Sequence, residues 1–297
     1  MARDIAVVIP FFQREAGILR RAVESIAKQR DVDLRRVTAL IVDDCSPQRP
    51  SADLDGHWEP LEVRLIKRPV NGGPGASRNT ALDALGDEVH LVAFLDSDDQ
   101  WNDDHLAVAL RALASGTFFF ANFFQLGAQQ PAFERAGRIR ISDHEHLFGD
   151  CYRFRGRMLD QIYIGNVIGT STVVFRRDAH RALRFATGFR RAGEDYLMWS
   201  SFAANNAVFV FRSTPSVIYG KGVNVYAGVT YGTVAHLART REEIAYLRHA
   251  RLRFPLAEAT QAHIARRLKH LRRLYWRSFA RLLVHDPLAL LRDRGSI

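Results

Sequence analysis

The chain has 297 residues, 47% of them apolar and 25% charged, an ordinary globular balance that excludes a disordered or fibrous protein. No run approaches the roughly 18 consecutive apolar residues of a membrane span, and Cys45 and Cys151 give neither a disulfide framework nor zinc-site spacing. The net charge of +10 is lopsided: residues 235–297 hold 14 Lys and Arg against 5 Asp and Glu, which directs that segment toward an anionic partner.

Met1-Ala2-Arg3-Asp4 leads straight into a strand-like run, so no signal peptide is expected and the reduced thiols fit the cytosol. Ile5–Ile9 is continuously apolar, as in a strand covered on both faces, and Pro10 is expected to end it. A helix follows over Ala16–Gln29, with Ile18, Leu19, Ala22, Val23 and Ile26 on one side. Val37–Val42 is a second buried strand, stopped by Asp43-Asp44-Cys45-Ser46-Pro47, and Leu61–Ile66 is a third. The loop Gly72-Gly73-Pro74-Gly75 precedes a short helix over Ala76–Leu85, and Val89–Leu95 is a fourth strand. Strands alternating with helices at these lengths predict a mostly parallel α/β sheet.

Further on, Asp103–Ala114 is helical and Phe118–Leu126 strand-like, while Gln129–Tyr152 reads as a polar excursion. Val167–Phe175 alternates as a strand, Gly188–Ala204 leads through Gly193-Glu194-Asp195 into a helix, and Val208–Phe211 is a short strand.

Ligands of such sheets bind beyond the carboxyl ends of the strands. Pro10-Phe11, Asp43-Asp44 and the run Asp96-Ser97-Asp98-Asp99 all fall at that edge. Three carboxylates directly after an apolar strand are hard oxygen ligands of the kind that suit Mg²⁺ or Mn²⁺ together with substrate phosphates. The competing reading makes Asp98 and Asp99 the N-terminal cap of the next helix. The glycines at 72, 73 and 75 permit close backbone approach, but the Gly-Lys-Ser/Thr ending of a Walker loop is absent.

Five motifs in order, Val8-Ile9-Pro10-Phe11-Phe12, Val42-Asp43-Asp44-Cys45-Ser46, Asn71-Gly72-Gly73 to Ala76-Ser77-Arg78-Asn79, Leu95-Asp96-Ser97-Asp98-Asp99 and Gly193-Glu194-Asp195, resemble a family 2 glycosyltransferase. The resemblance covers Ile5 to about Phe211, with the bacterial exopolysaccharide enzymes of succinoglycan glucosyltransferase type as the nearest flavour. It implies a GT-A-like fold: a Rossmann-like, mostly parallel sheet flanked by helices, with a C-terminal helical extension. The catalytic domain would span 1–234, its nucleotide-sugar half about 1–125 and its acceptor half about 126–234, with 235–297 as the extension.

The resemblance further implies site roles. Pro10 and Phe11 line the nucleotide pocket. Asp44 hydrogen-bonds the uracil edge, whose N3–H donates to a carboxylate; alternatively it makes an Asx turn before Pro47. Arg78 reaches the nucleotide or steadies the acidic loop, unless it is a structural ion pair, and Asn71 is read as a turn residue. Asp96 contacts ribose or cation and Asp98 ligates the cation, which takes up charge as the diphosphate leaves. Asp195, or else Glu194, is the base for the acceptor hydroxyl, the alternative being helix capping. A single base with direct displacement inverts the anomeric carbon, unlike the paired carboxylates of a hydrolase. Trp199 lines the acceptor site or packs as a core indole. In place of a histidine metal ligand after the last strand stands Tyr219-Gly220-Lys221-Gly222-Val223-Asn224. His144 and His146 are read as surface residues.

Over Ala262–Val284 an apolar stripe of Ile264, Leu268, Leu271, Tyr275, Phe279 and Leu282 opposes Arg266, Arg267, Lys269, Arg273, Arg277 and Arg281. Such a helix lies on anionic lipid, or packs its stripe on the domain and solvates the arginines. Without a DNA-binding framework, nucleic acid is not expected as a partner. The expected protein is an inverting, Mn²⁺- or Mg²⁺-dependent transferase at the inner membrane face. It would move glucose from a UDP-sugar to a polyprenyl-diphosphate-linked glycan acceptor. The rival readings are a catalytically silent sugar-nucleotide- or membrane-binding subunit and a nucleotidyltransferase; the latter needs a Gly-rich basic loop at the first strand, where Pro10-Phe11-Phe12 stands.

Overall fold

A computed structural model describes residues 3–125, 127–220 and 229–292. The first half alternates strand and helix as its apolar runs require: β1 (Ile5–Phe11), α1 (Ile18–Ala27), β2 (Val37–Asp43), β3 (Glu62–Lys67), α2 (Pro74–Asp83), β4 (Leu91–Phe94), β5 (Gln100–Trp101) and α3 (His105–Ala112). The second half comprises β6 (Phe118–Gln125), α4 (Ala132–Ala136), β7 (Glu145–Phe148), β8 (Cys151–Arg153), α5 (Met158–Gly165), β9 (Val174–Arg176), α6 (Arg177–His180), α7 (Glu194–Ala204), β10 (Phe209–Tyr219), α8 (Val234–Arg253) and α9 (Glu258–His285). One mixed sheet runs β3-β2-β1-β4-β9-β6-β10-β8-β7, with β5 paired to β10. The β3-β2-β1-β4 portion is parallel, whereas β9 runs antiparallel to both β4 and β6.

Alternation along β1 sorts its side chains into two cores. Ile5, Val7, Ile9 and Phe11 pack under α1 and α3, while Ala6 and Val8 face α2 and α7. Pro10 does not end the strand. Beyond Val8 β1 pairs only with β2, and Val8 and Pro10 share the β4 side, so the missing N–H of Pro10 falls past the end of the β4 ladder. Phe11 is 1% exposed and spent on the core, so it does not line a pocket; Phe12, 40% exposed, holds the outward position instead.

Three other expectations change. Val167–Phe175 shortens to β9, preceded by a 3₁₀ turn at Thr170–Thr172 whose polar groups are used elsewhere. The last strand is eleven residues long and kinks at Pro215, where its register with β6 shifts on either side. The polar excursion contains α4 and the β7–β8 hairpin, which pairs back onto β10. Within it His144 is half-buried, its ring stacked on Phe154 at 4.8 Å; His146 is exposed.

Helices α8 and α9 are continuous with the catalytic core. Ile264, Leu268 and Leu271 of α9 and Tyr246, Leu247 and Ala250 of α8 share one apolar cluster with Trp199, and Leu282 packs on Val234 and Leu237. Of the two expected dispositions, the stripe takes the second and packs against the domain, because it is the apolar surface that α9 needs to dock. No described helix is long and apolar enough to cross a membrane.

Candidate active site

The carboxyl ends of β1, β2 and β4 converge as the sheet topology requires. At β2 the two adjacent aspartates divide their work. Asp43 makes the Asx turn, its Oδ1 accepting from Ser46 N at 2.8 Å. The Asp44 carboxylate turns toward the glycine loop and accepts from Arg68 Nη1 at 2.6 Å, Gly72 N at 2.9 Å and Gly73 N at 2.7 Å. Its side chain is 3% exposed. Asn71 behaves as a turn residue, donating from Nδ2 to Asp44 O at 2.9 Å. A Cβ on Gly72 would stand 2.6 Å from the Arg68 guanidinium, so a larger residue there would push Arg68 from its place on Asp44. Gly73, at φ 84°, sets the entry to α2.

The acidic run is a turn closed by Asp99 N donating to Asp96 O at 3.0 Å; it does not cap α3, which begins after Asp104. Each member has a fixed neighbour. Arg78 Nη2 donates to Asp96 Oδ1 at 2.5 Å, and Asp96 N donates to Ser171 Oγ at 2.9 Å. Ser171 Oγ donates in turn to Asp99 Oδ2 at 2.5 Å, and Gly220 N to Asp99 Oδ1 at 2.8 Å. Gln13, 1% exposed, donates from Nε2 to Ser97 Oγ at 2.7 Å and ties the turn to the end of β1. Asp98 is buried at 6% exposure, and a Cβ on Gly220 would lie 2.2 Å from its carbonyl oxygen, so only glycine lets β10 pass so close.

Burial, with the charges of Asp96 and Asp98 beside it, holds the Asp99 carboxyl well above the usual range. Such a concentration of negative charge fits a hard divalent cation. Asp98 and Asp96 are the residues that would hold one, and it would supply charge to the leaving diphosphate. Among the described residues, no group of three or more His, Cys, Asp and Glu side chains is arranged to hold a metal alone. A shell built on two carboxylates takes its remaining oxygens from substrate and water.

On the other side of Arg78, Gly193 at φ 95° starts α7, and Glu194 and Asp195 occupy its first turn. Burial, with Asp195 as the second cause, pushes Glu194 up to about 8 against the opposing pull of Arg78. Burial also raises Asp195, whose Oδ1 accepts from Tyr196 N at 2.8 Å. Arg78 is central: its side chain is 3% exposed, its Nη1 stands 3.7 Å from Glu194 Oε1, and its Nε and Nη1 are buried without a hydrogen-bond acceptor. Trp199, fully buried among Phe94, Phe118 and Phe202, is a core residue and not an acceptor-site wall.

The geometry thus joins Asp44, Arg78, Asp96, Asp98, Glu194 and Asp195 around one edge, with Pro10 half-buried at its margin. It adds Gln13, Arg68 and Ser171, which the sequence motifs did not single out, and gives Gly220, named with the segment after the last strand, a bond to Asp99. Gln13 alone carried a signal, as the first polar residue after the β1 run. Lys221 to Asn224 lie outside the described residues.

The family model described as Glycosyl transferase family 2 matches residues 6–184. The chain is 30% identical over 236 residues to the succinoglycan biosynthesis protein ExoW of Rhizobium meliloti, covering 76% of this chain and 71% of that protein. Among solved structures it resembles S. aureus TarS 1–349 in complex with UDP-GlcNAc, at TM-score 0.64 and 18% identity, covering 97% of this chain and 74% of that one. It also resembles the mannosyltransferase PcManGT of Pyrobaculum calidifontis in complex with GDP-Man and Mn²⁺, at TM-score 0.63 and 16% identity, covering 99% and 80%. At these identities the two structures establish the GT-A fold alone.

Proposed function

The chain belongs to glycosyl transferase family 2 and is a glycosyltransferase, and on that premise we propose that it builds a polysaccharide by transferring glucose from UDP-glucose to a lipid-linked glycan with inversion. The similarity to a succinoglycan biosynthesis protein supports the polysaccharide, and the UDP-sugar complex of a structural neighbour supports the donor class. Asp195 accepts the proton of an acceptor hydroxyl, with Glu194 as the alternative base. The hydroxyl oxygen bonds to the anomeric carbon as the bond to UDP breaks, and the diphosphate leaves with the bonding pair. Asp98 and Asp96 hold Mn²⁺ or Mg²⁺; the Mn²⁺ complex of a second neighbour favours a divalent ion without choosing between them.

The observation that carries this reading is the span of Arg78. One guanidinium contacts Asp96 of the acidic turn and neighbours Glu194 of the base helix, which supports a single site for donor phosphates and acceptor base. Its buried N–H groups that lack acceptors are suited to an incoming anion. Asp44 is the residue for the uracil edge: Arg68, Gly72 and Gly73 fix its carboxylate, and a uracil N3–H would join them as a further donor. Calorimetric binding of UDP with and without Mn²⁺, with GDP and CDP as controls, tests the donor side. Binding that is metal-dependent and selective for UDP is expected; equal binding of all three nucleotides removes Asp44 as the selector.

The acceptor side is proposed to meet the cytoplasmic face of the cell membrane. With its apolar stripe buried, α9 turns Arg266, Lys269, Arg272, Arg273 and Arg277 outward, and no carboxylate lies between Glu258 and Asp286. An anionic surface carrying a diphosphate-linked acceptor complements that face.

A further inference from the structure

The loop that delivers Glu194 and Asp195 is held from a helix outside the family match. On α8, the Glu242 Oε2 accepts from three successive backbone amides, Arg190 N at 2.9 Å, Arg191 N at 2.6 Å and Ala192 N at 3.2 Å. One turn along α8, the Tyr246 ring lies against Gly193, where a Cβ would come within 2.2 Å of Cδ1. Gly193 also has φ 95°, so the backbone there is fixed by conformation and by contact. The loop continues to the donor side: Arg190 Nη2 donates to Asn71 O at 2.6 Å and to Asn71 Oδ1 at 2.7 Å, and Asn71 is bonded to Asp44.

We propose that Glu242 is a positioning residue for the transfer reaction: its carboxylate gathers the amides of residues 190–192 and so fixes the start of α7, from which the base projects. The inference rests on Glu194 and Asp195 supplying the base, the reading given above. It also gives α8 a task apart from burying apolar surface. A carboxylate accepting three N–H groups is a strong, pre-organised anchor, and on the loop's exposed flank the contact is the long Arg190 side chain on Asn71. Positioning errors near 1 Å at a base are costly in rate, whereas the Asp44 carboxylate is held by Arg68, Gly72 and Gly73 and meets the 190–192 loop through the Arg190 side chain on Asn71. The effect should therefore divide between turnover and donor affinity, which a general loss of packing does not do.

Three substitutions in the full chain test this. Glu242→Ala removes the acceptor, Glu242→Asp keeps the charge but shortens its reach, and Glu242→Gln keeps an acceptor oxygen at full length. Turnover is read as UDP release from UDP-glucose with Mn²⁺ and water as acceptor, donor affinity as calorimetric UDP binding, and loop order as backbone hydrogen exchange. Glu242→Ala and Glu242→Asp are expected to lower turnover by about 30-fold with UDP affinity held within about twofold. Exchange should quicken in the peptide covering residues 188–196 and stay unchanged across the β1–β4 sheet. Glu242→Gln should retain turnover within about threefold of the parent, because its carboxamide oxygen accepts the same amides.

Unchanged exchange at 188–196 in Glu242→Ala overturns the proposal, as does loss of UDP affinity in step with turnover. Arg191 Nη1 also stands 3.4 Å from Glu242 Oε1; recovery by Asp but not by Gln would make that ion pair the role of Glu242 and would also overturn the proposal. Asp195→Asn, measured in parallel, separates the two readings. If it retains transfer, the base assignment fails, while the exchange measurement still decides whether Glu242 holds the loop, with or without turnover of UDP-glucose.

Discussion

Arg78 and Asp96 meet at 2.5 Å in a setting where the arginine side chain is 3% exposed and the aspartate 24%. This pair joins α2 to the acidic turn, and through Glu194 it brings the base helix into the same field. Burial works against the Arg78 charge, yet Asp96 and Glu194 keep its pKa above the ordinary value. Removing the cation would leave several carboxylates facing one another at low exposure.

Arg78→Met should therefore be among the most damaging single changes. Loss of one member of a buried pair costs roughly 3 kcal/mol or more, because its partners stay buried and unpaired. A fall of about that size in urea unfolding free energy is expected, together with loss of UDP binding. A variant as stable as the parent would show that the carboxylates reach solvent without Arg78.

Separating donor binding from chemistry is the next test of the site. Asp98→Ala should abolish the Mn²⁺-dependent part of UDP binding, since one of the two proposed ligands is gone. Asp195→Asn should leave that binding within about twofold and lower transfer by two or more orders of magnitude, in the range lost with a general base. Calorimetry and UDP release read the two effects separately. Retained transfer in Asp195→Asn promotes Glu194 to the base.

The raised Glu194 carboxyl makes stability depend on pH in a defined direction. Burial and Asp195 move it from an ordinary 4.5 to about 8, so between those values the folded protein keeps a proton that the unfolded chain has released. Stability from this group is full below the unfolded value and is lost as pH rises through the folded one. In protein free of nucleotide and cation, the urea midpoint should fall between about pH 5 and about pH 8. Glu194→Gln should flatten that fall. An equal slope in parent and variant would place the titration elsewhere.

The parts legible in the sequence were those in which one force dominates. Val37–Val42 and Ile5–Ile9 are covered on both faces, so continuous apolarity marks them, and the acidic run after β4 has no place except a strand end. The turn at Thr170–Thr172 was not legible because its polar groups are committed to distant partners, with Ser171 serving Asp99 and Asp96. Pro215 and the polar residues around it break the alternation that would have revealed the full length of β10. Helix α8 buries Ala238, Thr240 and Ala250 among its larger residues, which do not draw an apolar stripe, so its hold on residues 190–192 had no sequence signature. For α9 the period was legible and the sequence left two partners for its stripe; the structure takes the domain, since an apolar stripe specifies that something covers it, not what.

The outward face of α9 supplies the last prediction. Trp276 is 64% exposed and Val284 77%, on a helix whose exposed cations include Lys269, Arg272, Arg273 and Arg277. Tryptophan beside arginines is the side-chain set of a membrane–water boundary, and each cation near an anionic surface contributes about 1 kcal/mol at moderate salt. The protein should therefore co-sediment with vesicles containing phosphatidylglycerol and not with pure phosphatidylcholine. Reversing two charges, Arg272→Glu with Arg273→Glu, should lower the partition constant by at least about tenfold. Because both residues point away from the core, the variant should keep the parent's UDP binding, so lost sedimentation would reflect the surface alone. A shift of Trp276 fluorescence to shorter wavelength on vesicle addition would put the indole in the interface. Equal binding to neutral and anionic vesicles, or none to either, would remove lipid as the partner of this face and leave a protein carrying acidic residues as its occupant.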